Sequence, residues 1–336
     1  MGATRPDVVS EARALAKFIH AEKLTQIDGD GASLWEGYIR DHLDHMRVLA
    51  TGDEPSFKSI CSHLYQTPLT HGFGQSSVHF TRLRDTPASR AYSAAMIIDK
   101  LHRLCEAVGV LNVVSPEHVA DYSRDVGKFD DLLDAVEERL GIDISPPSVD
   151  GSLYGIVNRR GIFCERHFDS MYVAHRLANL DVRSCVEIGG GSGYVAFFAR
   201  RYGVKTYSIV DLPTVSATQY LILGGSLGAG EVGLFPDQNQ PITLVPSTAP
   251  DQVDWSVDCV LNVDSLPEMP PSVGQMYLNF ARKAGMVLSI NQESRVSNGE
   301  ERQHSVSELA EKDFNRESRV PYWMRTGWVE EIYRPA

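Results

Sequence analysis

The run Val186-Glu187-Ile188-Gly189-Gly190-Gly191-Ser192-Gly193-Tyr194 constrains the fold of this chain more than any other stretch. An apolar β-rich segment leads into it and a segment of helical spacing follows, so its glycines fall on a strand-to-helix turn. Glycine at 189, 191 and 193 lets the backbone turn sharply and approach a ligand, while the start of the helix offers unpaired amide donors. A dinucleotide fingerprint, G-x-G-x-x-G, needs a small residue where Tyr194 stands, which counts against a nicotinamide oxidoreductase. No Gly-Lys-Ser/Thr follows, which excludes a Walker phosphate loop.

From Val182 onward short β-rich runs alternate with helical segments, the signature of a parallel sheet built from strand-helix units. Strands are predicted at Ser184–Ile188, Thr206–Val210, Ile242–Val245, Asp258–Val263 and Met286–Ile290, and helices at Val195–Tyr202, Val215–Leu223 and Val273–Lys283. Tyr322–Met324 and Trp328–Tyr333, around Thr326-Gly327, are predicted to close the sheet edge as an antiparallel hairpin.

The first half has the helical period instead. Thr4, Pro6 and Asp7 resemble a helix start, and Val8, Ala12, Leu15 and Ile19 follow at spacings of three and four. The same spacing runs from Leu34 to Leu49 and from Ala91 to Val108, and shorter helices are predicted after Ser115-Pro116 up to Leu140-Gly141. His71 to Gly74 reads as a loop, and His42, His45, His63, His71 and His79 read as solvated or capping residues. Pro146-Pro147-Ser148 makes a stiff break. The expectation is an α/β chain: an all-helical domain over residues 1–147, then a sheet domain over 148–336. Several amphipathic helices in so small a layer leave apolar faces over, so a homodimer or higher homo-oligomer is expected through the helical part.

Composition narrows the partners. A net charge of −12, shared evenly by the two halves, leaves no basic arm to neutralise phosphates, so neither nucleic acid nor an anionic membrane is expected as a partner. No apolar run approaches the roughly 20 residues of a membrane span, and the first residues lack a signal-peptide core, so a cytoplasmic location is expected. Five widely spaced cysteines suggest buried reduced thiols rather than a disulfide framework or zinc cluster.

Twenty-two residues after Gly189 the next predicted strand ends in Val210-Asp211-Leu212-Pro213, placing a carboxylate where it can accept both hydroxyl protons of a ribose. With Glu187 ahead of the glycines, the chain resembles the class I S-adenosylmethionine-dependent methyltransferases, whose sheet is Rossmann-like. Ile209 to Pro213, Leu261 to Met269 and Trp328 to Arg334 resemble, more narrowly, the sugar O-methyltransferases of bacterial natural-product pathways. The resemblance covers about Tyr154 to Tyr333. It implies S-adenosylmethionine as co-substrate and a hydroxyl of a sugar or other small-molecule secondary metabolite as acceptor. It also implies donor contacts from Glu187, Gly189, Gly191, Gly193, Asp211, Leu212 and Asn262, with Arg166 or Tyr172 at the methionine carboxylate. A phenol, nitrogen or carbon acceptor, and a pathway partner that binds the donor without methylating, are the alternatives.

A sulfonium methyl is already activated, so the chain needs chiefly alignment and a base for the acceptor hydroxyl. Candidate bases are Asp264 and Glu268, after the fourth strand, and His304, ahead of a late helix, with His167 the weaker choice. Each also has a plain structural reading, as a cap or a solvated side chain. Asp264 with Asn291 and Glu293 offers oxygen ligands of the kind Mg²⁺ takes, but an incomplete set, so metal dependence is not favoured. Tyr154, Phe163, Tyr172 and Trp323 are the aromatic residues expected near the acceptor.

Overall fold

A computed structural model describes residues 8–26, 34–71, 73, 86–113, 127–148, 155–228, 230–237, 239–293, 297–298, 301–302 and 304–336. The expected helix start at Thr4 to Asp7, Gly72, Gly74, His79, the stretch just after Ser115-Pro116, and Tyr154 lie outside these residues.

The helical part contains α1 (Val8–Ala21), α2 (Leu34–Leu49), α3 (Glu54–Ser62), α4 (Pro87–Ala107) and α5 (Phe129–Leu140). Thr86 caps α4 by accepting from the Ser89 amide, and Gly141, at φ +67°, ends α5. The sequence pattern missed α3, which buries only Phe57 and Ile60, too few side chains to show a period. The histidine reading fails at His42, which is 3% exposed. Burial there pushes its pKa down to about 4.

A small antiparallel pair, β1 (Ile156–Asn158) and β2 (Gly161–Phe163), precedes α6 (Glu165–Asn179). Then follow β3 (Ser184–Ile188), α7 (Tyr194–Arg201), β4 (Thr206–Asp211), α8 (Pro213–Leu227), β5 (Val232–Leu234), β6 (Ile242–Pro246) and β7 (Cys259–Val263). The chain ends through α9 (Pro271–Ala281), β8 (Met286–Gln292), β9 (Ser297–Asn298), β10 (Glu301–Arg302), α10 (Val306–Ala310), β11 (Phe314–Pro321) and β12 (Trp328–Pro335). Eight strands form one sheet in the order β5-β6-β4-β3-β7-β8-β12-β11. From β5 to β8 every neighbouring pair is parallel, while β12 runs antiparallel to both β8 and β11. This is the mostly parallel, Rossmann-like α/β sheet with a C-terminal antiparallel hairpin that the sequence led us to expect.

The hairpin is placed differently, however. Its first strand is Phe314–Pro321, paired Pro321 to Val329, and Tyr322–Met324 lies in the turn. That strand is an edge with Asn315, Arg316 and Glu317 in a row, mostly exposed, so it carries no apolar alternation to read. The short strand β5 was also missed.

Both sheet faces are covered, which explains the continuous apolar runs of the central strands. Val186, Ile188, Val210, Val260 and Val287 pack with Trp255, Tyr277 and Leu278 on one side. Cys185, Tyr207, Ile209, Leu261 and Leu288 belong to a cluster on the other side that continues without a break into Leu15, Met46, Leu101 and Leu133 of the helical part. No helix among the described residues is long and apolar enough to cross a membrane.

The sheet order reverses beside β3: the chain goes from β3 outward to β4 and β6, then returns to place β7 on the other flank. Open sheets of this kind bind ligands in the crevice beyond the carboxyl ends of the strands at such a point. Gly189 follows β3 there, and Asp264 follows β7.

Candidate active site

The glycine turn is built from three left-handed residues, Gly189, Gly191 and Gly193, at φ +71°, +54° and +75°. Their roles differ. A Cβ at Gly189 would lie 2.4 Å from the Ser265 side chain, and one at Gly193 would lie 2.8 Å from Leu223 Cδ1, so these two permit internal packing. At Gly191 nothing stands within 4 Å, which leaves open space on the side where a ligand would approach. Gly190 is required as well, because a Cβ there would meet Ile209 at 2.6 Å and the Glu187 carboxyl at 3.0 Å.

Asp211, at the end of β4, organises that turn. Its Oδ2 accepts from the Gly191 amide at 3.1 Å and from Gln219 Nε2 at 3.0 Å, and its Oδ1 accepts from the Leu212 amide at 2.8 Å. Oδ1 therefore retains a lone pair for a ligand hydroxyl. Burial, opposed by these bonds, pushes the Asp211 pKa up to about 6. Gln219 was not foreseen from the sequence. It also donates to the Gly191 carbonyl at 2.9 Å, while its Oε1 is buried without a hydrogen-bond partner, an unspent acceptor beside the turn. The only signal for it is its place two turns into the helix that Pro213 begins.

Glu187 is 2% exposed and accepts a hydrogen bond from the Tyr207 hydroxyl at 2.9 Å. Burial drives its pKa up to about 8, against the pull of Tyr207, and the Asp211 charge adds to the rise. A cation arriving in the crevice would reverse that shift.

Asn262 is fully buried, and its amide is spent on structure. Nδ2 donates to the Ile188 carbonyl at 3.0 Å, and Oδ1 accepts from Asn291 Nδ2 at 2.9 Å. Ser265 Oγ donates to the same Ile188 carbonyl at 2.7 Å.

Asp264 stands just beyond, in the left-handed region at φ +63°. Aspartate tolerates this conformation better than most side chains, yet it costs of order 1–2 kcal/mol and marks a constrained position. The Asp264 amide donates to Asn291 Oδ1 at 3.0 Å, and its Oδ2 lies 3.4 Å from Arg325 Nη1. Burial pushes its pKa up to about 7, with a further rise from Glu268. Glu268, in a 3-10 turn with its amide on the Ser265 carbonyl, is also raised by burial. The Arg166 charge, from the first turn of α6, opposes both shifts, and Arg166 makes no ion pair among the described residues.

The other candidates lie elsewhere. His304 is half-buried ahead of α10 and makes no hydrogen bond or ion pair among the described residues. His167 is 1% exposed, accepts from the Cys164 amide as part of a helix cap, and is pushed down to about 3 by burial, so it is a neutral structural residue. Its ring lies 4.7 Å from that of Tyr194, whose hydroxyl bonds Tyr65 of the helical part. Tyr172 packs at 5.7 Å against Tyr322, beside the Arg176–Glu330 ion pair. Phe163 is fully buried, stacked on Phe168 at 5.5 Å, and so cannot meet an acceptor. Trp323 is 39% exposed on the hairpin turn, in a cleft of about 470 Å³ shared with Asp99 and Glu106 of α4. Of the oxygen set beside Asp264, Asn291 is committed to internal hydrogen bonds and Glu293 pairs with Arg319 at 2.5 Å. Among the described residues no group of three or more His, Cys, Asp or Glu side chains is arranged to hold a metal ion.

No protein-family model and no curated protein sequence matches the chain. Solved structures do match at low similarity. The mitomycin 7-O-methyltransferase MmcR is 13% identical over 98% of this chain and 95% of its own, with a TM-score of 0.39. The magnesium protoporphyrin IX methyltransferase of Synechocystis PCC 6803, with bound SAM, is 14% identical over 50% of this chain and 81% of its own, at 0.36. A 1,6-didemethyltoxoflavin-N1-methyltransferase of Burkholderia thailandensis, with its didemethyltoxoflavin and S-adenosylhomocysteine, is 16% identical over 50% and 78%, also at 0.36.

The raised carboxyls have a measurable consequence. Between its ordinary pKa near 4.5 and about 8, folded Glu187 holds a proton that the unfolded chain has released, so its contribution to stability falls as pH rises through that window. Buried His42 and His167 act oppositely, losing stability as pH falls below about 6.5. The comparison is therefore between the wild type and Glu187→Gln, which keeps an acceptor for Tyr207. Urea unfolding should show the variant gaining on the wild type from pH 5.5 to pH 8.5; a constant difference would mean that Glu187 is ionised in both states.

Proposed function

We propose that this chain is an S-adenosylmethionine-dependent O-methyltransferase acting on a hydroxyl of a sugar or sugar-bearing small molecule. The observation that carries the reading is the pairing of two strand ends at the switch point: an open glycine turn tied to Asp211, and across from it a constrained Asp264 whose carboxyl is held by burial above its ordinary pKa. The residues present fit the donor. Gly191 leaves room for it, Asp211 Oδ1 and the orphaned Gln219 Oε1 offer acceptors to ribose hydroxyls, and neutral Glu187 awaits a positive charge. The backbone at Gly191 and Leu212, held by Asp211, would line the nucleoside, and Arg166 would meet the methionine carboxylate.

Bound there, S-adenosylmethionine supplies a methyl group already activated on a positively charged sulfur. The chain has then to hold the acceptor oxygen in line and to take one proton from it. Asp264 suits the second task, because a base is most effective when its pKa lies near the working pH. Its left-handed backbone, fixed by the amide bond to Asn291, aims the carboxyl from a rigid strand end rather than a loose loop. Glu268 is the second candidate, and His304 the third.

Calorimetry with S-adenosylmethionine or S-adenosylhomocysteine should give micromolar-range binding that Asp211→Ala or Gly191→Arg weakens at least tenfold, about 1.4 kcal/mol. A folded sample that gives no heat with either ligand rejects the reading.

Among glycosides screened as acceptors, any that is turned over should lose about 10²-fold or more in kcat with Asp264→Asn, at unchanged donor affinity. Glu268→Gln and His304→Ala serve as comparisons, and full turnover by all three variants would leave alignment alone as the source of rate.

Self-association through the helical part belongs to the same reading. Tyr92 and Met96, one turn apart on α4, are 61% and 40% exposed, an apolar patch that a second copy would cover. Light scattering at micromolar concentration should give at least twice the 37.2 kDa of one chain. A mass of one chain would contradict it.

A further inference from the structure

A lysine of the helical part is tied to the strand-end site through two intervening side chains. Lys100, on α4, has a side chain only 11% exposed and donates to Asp169 Oδ1 at 2.8 Å and to the Met324 carbonyl of the hairpin turn. Asp169, on α6, is 8% exposed, and its Oδ2 lies 3.4 Å from Arg325 Nε. The same guanidinium rests 4.3 Å above the Trp328 ring and reaches Asp264 Oδ2 with Nη1 at 3.4 Å. Cation and anion thus alternate without a break: Lys100, Asp169, Arg325, Asp264.

We propose that Lys100 is a positioning residue for the strand-end site: by satisfying Asp169 it leaves Arg325 within reach of Asp264. The physical reason is competition. Asp169 sits in a poorly hydrated place, where an unpaired carboxylate is costly. Lys100 and Arg325 share it, and burial raises its pKa while Lys100 opposes the rise. Without Lys100 the guanidinium is the partner left in contact among the described residues, and it turns toward Asp169, away from Asp264. The other charges facing Asp264 are Glu268, Arg166 and Asp169; those facing Asp169 include Arg166 and Glu165, both on α6. Neither of those α6 charges belongs to the helical part, so Lys100 is the link by which α4 bears on the acid. The proposal rests on the methyltransferase reading only for what Asp264 does in turnover, because its titration can be followed in the protein alone.

The test is an NMR titration of protein labelled with ¹³C at the aspartate carboxyls, with the Asp264 signal assigned by its loss in Asp264→Asn. In Lys100→Met the Asp264 midpoint should rise by about one pH unit, a tenfold change in proton affinity. Lys100→Arg, which keeps the cation, should stay within a few tenths of the wild type. Asp169→Asn should shift the midpoint in the opposite direction, since it removes both a nearby negative charge and the competitor for Arg325. That reversal separates positioning from a general loosening of the fold, and it remains readable if Lys100→Met does not fold. An unmoved midpoint in folded Lys100→Met, an arginine variant that behaves like the methionine one, or no downward shift in Asp169→Asn overturns the proposal. Failure of S-adenosylmethionine to bind would reject the methyltransferase reading and leave these outcomes untouched.

Discussion

The carbonyl of Ile188 is the point on which this site depends. It ends the central strand, and it accepts from both Asn262 Nδ2 and Ser265 Oγ of the neighbouring strand end. One residue later the Gly189 amide donates to the Val210 carbonyl on the other flank. Three strand ends are therefore clasped together at the place where the sheet order reverses. Because Gly189 has no side chain, Ser265 can close over it, and the clasp also fixes the direction in which the chain leaves β7. Asp264 takes its left-handed conformation between two anchored neighbours, the Asn262 and Ser265 side chains. Strain of this kind persists only where the surroundings over-determine it.

Around the clasp the electrostatics are those of a cavity short of positive charge. Glu187, Asp211, Asp264 and Glu268 are all held above their ordinary values, and burial is the first cause in each case. Arg166 offsets this on the Asp264 side, where Arg325 also lies 3.4 Å from the carboxylate. On the Glu187 side no cation pairs with the carboxyl among the described residues, where the Tyr207 hydroxyl donates to it. An asymmetry of that kind suits a ligand that brings its own positive charge to one end of the crevice and offers a neutral hydroxyl at the other.

Much of this was legible in the residues, for identifiable reasons. The glycine turn, the central strands and Asp211 announce themselves because each imposes a local rule: no Cβ, apolar on both faces, an acid at a strand end. Asp264 was readable from its place alone. What was not readable depends on contacts distant in sequence. Gln219 looks like any helix residue until Asp211 folds against it. Lys100, Asp169 and Arg325 come from three separate elements, and no spacing joins them. Asn262 was read from its position beside the crevice, and the bonds of its amide to Ile188 and Asn291 carry no mark in the sequence. The β11 strand was missed because an edge that must stay soluble resembles a loop in composition.

The apolar cluster that runs from the sheet into the helical part has a consequence for how such a chain can change over time. Leu101 and Leu133 belong to the same continuous interior as Leu261 and Leu288, and Tyr65 reaches across to Tyr194 just past the glycine turn. A recombination event that carried off residues 148–336 alone would inherit the motifs but strip α6 and α8 of the helices packed on their outer sides. The two parts must therefore travel together, and drift in the helical part is restrained by the helices α6 and α8 on which it packs. In such a chain a new partner for the crevice has to be accommodated by altering side chains in place.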